Sequence, residues 1–77
     1  MMQSEPVIAE SAYKHGIDSA DMVHAFNNAI TAFDLGEGFI MLVGPALDAT
    51  LLEIGYVTST DAHVIVHAMK ARPNYLR

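Results

Sequence analysis

The residues best suited to chemistry lie at the end of the segment His63–Arg72, which reads HVIVHAMKAR. His67 could transfer a proton, because an imidazole titrates near neutral pH. Lys70 and Arg72 follow His67 directly along the chain. A guanidinium has a planar shape and a fixed charge that suit phosphate oxygens. The segment therefore predicts acid–base chemistry beside a site for an anionic group.

Glu53 is the carboxylate that we expect to face this imidazole. It lies in the segment Thr50–Val57, which a short connection joins to the segment of His67. If Val57 pairs with His63 in an antiparallel hairpin, Glu53 lies directly opposite His67. Opposed side chains in such a pair have Cβ atoms about 5 Å apart. The sequence thus predicts a Glu53–His67 contact, and the alternative is an ordinary cross-strand pair on a solvent-facing surface.

His15 is a second candidate for proton transfer. It precedes Gly16 at the end of a predicted helix, where the alternative role of a histidine is a favourable contact with the helix dipole. Lys70 and Arg72 have an alternative role too, since cations near a terminus are commonly just solvated. His63 and His67 would lie about 13 Å apart along one strand, at roughly 3.3 Å per residue. We therefore expect no metal site and no cofactor.

The elements that position these residues follow from hydrophobic periodicity. Two N-terminal helices are predicted at about 4–15 and 18–28, with Ser4 and Asp18 as their N-caps. After residue 30 the apolar period changes from 3.6 to 2. Four strands are then predicted, at about 30–35, 39–43, 50–57 and 63–69. The expected fold class is α+β, with both helices packed on one face of a four-stranded antiparallel meander.

Size and composition limit the function classes. A chain of 77 residues is expected to form one domain, 1–77, and 52% apolar against 17% charged residues favours a homodimer or a hetero-oligomer. The net charge of −5 argues against a general nucleic-acid binder, although the C-terminal cations could create a locally positive surface. No apolar run reaches the roughly 20 residues of a membrane span. No secretory signal is evident either, so we expect a cytoplasmic protein without a membrane partner.

Three pieces of the chain together resemble one protein family. They are the KHGI stretch 14–17, the GP pair 44–45 with LEIG at 52–55, and the terminal IVHAMKARP at 65–73. In this order they resemble the BrnT-like toxins of bacterial toxin–antitoxin pairs, which are similar in fold to the RelE-type ribonucleases. The resemblance implies a RelE/BrnT-like fold and an endoribonuclease that acts on mRNA, ribosome-bound or free. It also implies neutralisation by a cognate antitoxin.

RNA cleavage without a metal needs a base, an acid and cations that stabilise the charged phosphorane. Glu53 or His67 could be the base, and His67 or His15 the acid. Arg72 would hold the phosphate with help from Lys70. The alternative function is a non-catalytic, dimeric protein-interaction module of the same fold, which the acidic net charge favours.

Overall fold

A five-stranded mixed sheet with one α-helix organises residues 5–76, the part of the chain that the computed structural model describes. The helix, α1, spans Ser19–Asn27, and two short 3₁₀ segments span Glu10–His15 and Pro73–Tyr75. The sheet order is β1-β5-β4-β3-β2. The strands are β1 Val7–Ile8, β2 Thr31–Asp34, β3 Phe39–Pro45, β4 Leu51–Thr58 and β5 His63–Lys70.

The prediction of two helices on a four-stranded antiparallel sheet is wrong. In place of the first helix, Val7 and Ile8 pair in parallel with Val64 and Ile65 of β5, and the chain then turns into the first 3₁₀ segment. β-branched residues suit a strand, and the edge of β5 offers backbone groups that need partners. The proposed N-cap Ser4 lies outside the described residues.

The second predicted helix forms, but it is not capped as expected. Asp18 occupies the N-cap position of α1 without any side-chain hydrogen bond to the helix. Asp21, in the first turn of α1, accepts a 2.9 Å hydrogen bond from the Leu47 amide in the β3–β4 connection. His24 bonds to the carbonyl oxygen of Pro45 at 2.8 Å. Two polar contacts therefore fasten α1 to the end of β3.

α1 packs directly against the backbone of β3. A methyl group added to Gly44 would overlap the carbonyl oxygen of Ala25, so only glycine lets the helix approach this closely. This face of the sheet holds the main core. Its buried members include Met22 and Ala25 of α1, with Leu42, Leu52, Ile54, Ile65 and Ala68 of the sheet.

The opposite side of the sheet, here called the outer face, has no helix among the described elements. Its apolar side chains are buried or half-buried, and Tyr75 of the C-terminal 3₁₀ segment packs against Phe33 with ring centroids 5.5 Å apart. The C-terminal segment therefore covers only part of this face. Cross-strand pairing places on it Phe33, Phe39, Met41, Val43, Glu53, Gly55, Val57, His67 and Met69.

A β-bulge interrupts the β4–β5 pairing. Tyr56 pairs with Ile65, whereas Gly55 pairs with His67, so Val66 is an extra residue without a partner on β4. The predicted register is wrong, because Thr58 rather than Val57 pairs with His63 and the bulge shifts the pairing by one residue more. Glu53 therefore lies opposite Met69 and not opposite His67. Within residues 5–76, no helix has the length and apolar character needed to cross a membrane.

Candidate functional site

Glu53 lies at the centre of the site, with none of its surface exposed. Its Oε1 accepts hydrogen bonds from the backbone amide and the Nε of Arg72, both at 3.0 Å. Its Oε2 accepts from Arg72 Nη2 at 2.6 Å and contacts His67 Nε2 at 2.8 Å. Both carboxylate oxygens are thus fully engaged, which a buried charge requires.

The environment keeps this carboxylate ionised. Burial raises the pKa of Glu53, but the hydrogen bonds from Arg72 and His67, with the charge of Arg72, lower it by more, and the pKa lies below its usual value. A buried carboxylate with a lowered pKa is a poor proton acceptor. Of the two bases proposed from the sequence, Glu53 is therefore the less suitable.

Arg72 is engaged by Glu53 before any ligand arrives. The hydrogen bonds and charge of Glu53 raise the pKa of Arg72, and half of the arginine side chain remains exposed. The guanidinium lies 5.8 Å from the centre of the Tyr75 ring. Because Nε and Nη2 already contact Glu53, Nη1 is the guanidinium nitrogen best placed to hold a phosphate.

His67 is also open to solvent, since 26% of its side chain is exposed. The ionised Glu53 has no proton to donate, so the Nε2 of His67 carries a hydrogen and donates it. This leaves Nδ1 as the ring nitrogen available for proton transfer. A carboxylate that fixes the tautomer of an imidazole is the arrangement used in catalytic triads.

The contact between these two residues is diagonal rather than direct. His67 lies opposite Gly55, and the absence of a side chain there leaves space across which the imidazole leans toward Glu53. The ring of Phe39 closes this space on its other side. A Cβ on Gly55 would lie 3.1 Å from both the Phe39 ring and the His67 Cβ.

His15 brings a second imidazole to the cluster. His15 is the last residue of the first 3₁₀ segment. Its ring centroid lies 5.8 Å from that of His67, and the two rings are nearly perpendicular, at 78°. Gly16 follows in the left-handed conformation and turns the chain toward α1. Two imidazoles this close could act on two oxygen atoms of one phosphodiester.

Lys70 does not join the group. It pairs with Leu52, whose side chain belongs to the core under α1, so Lys70 leaves the sheet on the face opposite Glu53. The structure therefore brings together four of the five predicted site residues and places the fifth on the other side. His63 is exposed and packs near Phe26 and Tyr56 on the helix face.

Three neighbours of the site were not identified from the sequence. Gly55 could have been, because a glycine inside a strand often marks a bulge or a close approach. Phe39 and Tyr75 gave no signal beyond their hydrophobicity. Across residues 5–76, no group of three or more histidine, aspartate or glutamate side chains is arranged to hold a metal ion.

Comparison of the chain with protein-family models, with curated proteins and with solved structures finds no match.

Proposed function

We propose that this chain is a metal-independent endoribonuclease that acts as the toxin of a toxin–antitoxin pair. One observation carries the catalytic part of the proposal. His67 is partly exposed, its tautomer is fixed by a buried carboxylate, and a second imidazole lies 5.8 Å away. A positioned base and a positioned acid are the minimum that RNA cleavage requires.

In the proposed reaction, His67 Nδ1 takes the proton of a ribose 2′-hydroxyl, and the resulting oxygen attacks the adjacent phosphorus. His15, protonated at the start, donates its proton to the departing 5′-oxygen. The products are a 2′,3′-cyclic phosphate and a 5′-hydroxyl, so atoms and charges balance. Glu53 orients His67 and stabilises the imidazolium that forms, and Arg72 offers Nη1 to the phosphate.

The distribution of charge over the sheet supports RNA as the substrate. Among the strand residues described, Glu53 is the one carboxylate on the outer face, and Arg72 neutralises it. Asp34, the other acidic strand residue, pairs with Ile40 on the helix face. Within the strands, the acidic charge that has no cationic partner therefore lies on the face away from the site. Phe39 and Tyr75 are half-buried beside the cluster, where aromatic rings could stack on unpaired bases.

The biological context is part of the same proposal and rests on the resemblance of three sequence pieces to BrnT-like toxins. We propose that the protein acts in the cytoplasm on mRNA. A cognate antitoxin would cover the outer face, which no described helix covers. A homodimer is the alternative cover for the same surface.

Incubation of the purified chain with single-stranded RNA in EDTA tests the reaction. We expect cleavage that leaves cyclic phosphate ends, and a loss of about 100-fold or more in His67→Ala and His15→Ala, since general acid–base groups contribute about 10²–10⁴. His63→Ala is the matched control, because this histidine is also exposed on β5 but lies beside Phe26 and Tyr56. Equal activity of His67→Ala and the wild type would exclude the mechanism.

Induction of the chain in a bacterial host tests the role as a toxin. Growth should stop with the wild type and continue with His67→Ala at the same level of folded protein. A harmless wild type at good expression would exclude this role, although it would leave RNA cleavage in vitro to be judged separately.

A non-catalytic interaction module is the second candidate, and one observation favours it. Glu53 binds three nitrogen atoms of Arg72, so the cluster also attaches the C-terminal 3₁₀ segment to the sheet. A protein that neither binds nor cleaves RNA at low salt, yet needs Arg72 for stability, would support this candidate.

A further inference from the structure

We infer that Ser11 is a positioning residue, whose hydroxyl holds the bulge of β5 and thereby keeps His67 on the face of Glu53. The Oγ of Ser11 donates a 2.8 Å hydrogen bond to the carbonyl oxygen of Val66, the extra residue of the bulge. The geometry stands alone, and only the activity test below rests on the proposed endoribonuclease function.

The register shows why the bulge matters. From the hairpin end, β4 and β5 pair regularly up to Tyr56 and Ile65. Without the extra residue, Gly55 would pair with Val66 and Ile54 with His67. Ile54 is completely buried in the core under α1, so His67 would then point into that core and away from Glu53.

The backbone hydrogen bonds show what stabilises the bulge. Carbonyl groups of successive residues in a regular strand point to opposite edges. Here the carbonyls of both Ile65 and Val66 accept from the same neighbouring segment, at 2.8 Å each, from the Ala9 amide and the Ser11 hydroxyl. The bulge therefore points the carbonyl groups of Ile65 and Val66 to the same edge of β5, where Ala9 and Ser11 bind one each.

The same segment also carries the second imidazole. Ser11 lies in the first 3₁₀ segment, which ends at His15, and its neighbour Ala12 is fully buried in the core. The segment is therefore anchored in the core by Ala12, bonded to the bulge by Ser11 and placed beside His67 by the ring of His15. One stretch of chain sets the relative position of both histidines.

The test compares Ser11→Ala with Ser11→Thr and Ser59→Ala. Threonine keeps the hydroxyl, and Ser59 is the matched control because its hydroxyl donates a 3.0 Å bond to the Ala62 carbonyl in the exposed β4–β5 turn. The first measurement is the solvent exchange rate of the His67 Nε2 proton by NMR. We expect exchange roughly three- to tenfold faster in Ser11→Ala and unchanged in the other two proteins.

A second variant removes the other contact. Ala9 has φ −75° and ψ 156°, which proline can adopt, so Ala9→Pro deletes the amide donor and its ring Cδ displaces the Ile65 carbonyl oxygen. We expect the same faster exchange of the His67 proton. In the RNA assay, kcat should fall by about 10- to 100-fold in Ser11→Ala with little change in KM, because a displaced general base lowers the rate of the chemical step.

Unchanged proton exchange in Ser11→Ala would overturn the inference, and so would equal effects in Ser11→Ala and Ser11→Thr. A wild type that cleaves no RNA would remove the proposed function. The inference would nevertheless stand if the His67 proton still responded to Ser11→Ala alone.

Discussion

Glu53 connects three parts of the chain through a single carboxylate. It extends from β4, accepts a hydrogen bond from His67 on β5 and accepts four from three nitrogen atoms of Arg72 at the start of the C-terminal 3₁₀ segment. A buried charge is tolerated only when it is paired and hydrogen-bonded. The carboxylate therefore serves the fold and the candidate site together, and its removal should affect both.

Glu53→Gln tests the structural part of this role. The amide removes the charge and presents an NH₂ group where Arg72 and His67 both donate, so at least one donor loses its partner. We expect a loss of about 1–3 kcal/mol in the free energy of unfolding, measured with urea at neutral pH. Glu37→Gln in the exposed β2–β3 turn is the control and should stay within about 0.5 kcal/mol. Equal stabilities of Glu53→Gln and the wild type would contradict the assigned hydrogen bonds.

The lowered pKa of Glu53 predicts how stability depends on pH. Because the folded protein releases this proton more readily than the unfolded chain, the stabilisation is complete above the ordinary glutamate pKa of about 4.3 and is lost as the pH falls through the lower folded value. The stability difference between the wild type and Glu53→Gln should therefore narrow below about pH 4. Asp48, whose pKa is also lowered, is present in both proteins and cancels. A difference that stays constant down to about pH 3 would contradict this assignment.

At the scale of elements, two glycines control how closely the sheet is approached from its two faces. Gly44 admits the backbone of α1 on one face, and Gly55 leaves the space used by His67 and Phe39 on the other. The two positions lie on adjacent strands and are both buried. Their substitution should therefore separate the stability of the fold from the geometry of the site.

Gly44→Ala should mainly reduce stability. The added methyl group overlaps backbone of α1, which cannot move aside without shifting the helix, so we expect a loss of about 1–3 kcal/mol or more. Gly55→Ala should mainly disturb the site, because its methyl group meets side-chain atoms of Phe39 and His67 that can move by a few tenths of an ångström. Urea unfolding and the NMR signals of His67 measure the two effects. A larger stability loss in Gly55→Ala than in Gly44→Ala would contradict this division.

Strand periodicity and turn residues located much of the sheet in advance. The four predicted strands lie within two residues of the bounds of β2, β3, β4 and β5. The prediction of the first helix was wrong, because the local pattern of residues 4–15 fits a helix although the segment forms β1 and a 3₁₀ turn. The pairing of Val7 and Ile8 with β5 depends on a strand more than 50 residues away in the sequence.

The site shows a subtler limit of prediction from sequence. Glu53 and His67 do touch, but the predicted route was wrong, since the bulge places His67 opposite Gly55 and the contact is diagonal. Gly55 was a hint of a bulge on the β4 side, but no local signal marked Val66 of β5 as the extra residue. Lys70, three residues after His67, lies on the opposite face, as period-two alternation along β5 already indicates.

For the whole molecule, the different charges of the two faces predict that RNA approaches the outer face. The outer face carries His67, the Glu53–Arg72 ion pair and aromatic rings, whereas acids such as Asp18 and Asp34 lie on the helix side together with Lys70. An RNA strand should therefore be sensitive to charge on the outer face and nearly insensitive to charge on the helix side.

Paired charge substitutions at two positions test this directly. Val57 lies on the outer face, while Ala32 pairs with Leu42 on the helix face and is exposed. We expect Val57→Lys to bind RNA more tightly than Val57→Glu, by roughly tenfold in Kd at low salt, with the gap shrinking as added salt screens the charge. Ala32→Lys and Ala32→Glu should differ by less than about threefold. Each pair introduces both signs at one site, so the cost of burying a charge is similar within the pair. An equal gap at both positions would show that only net charge matters, and would exclude the outer face as the RNA surface.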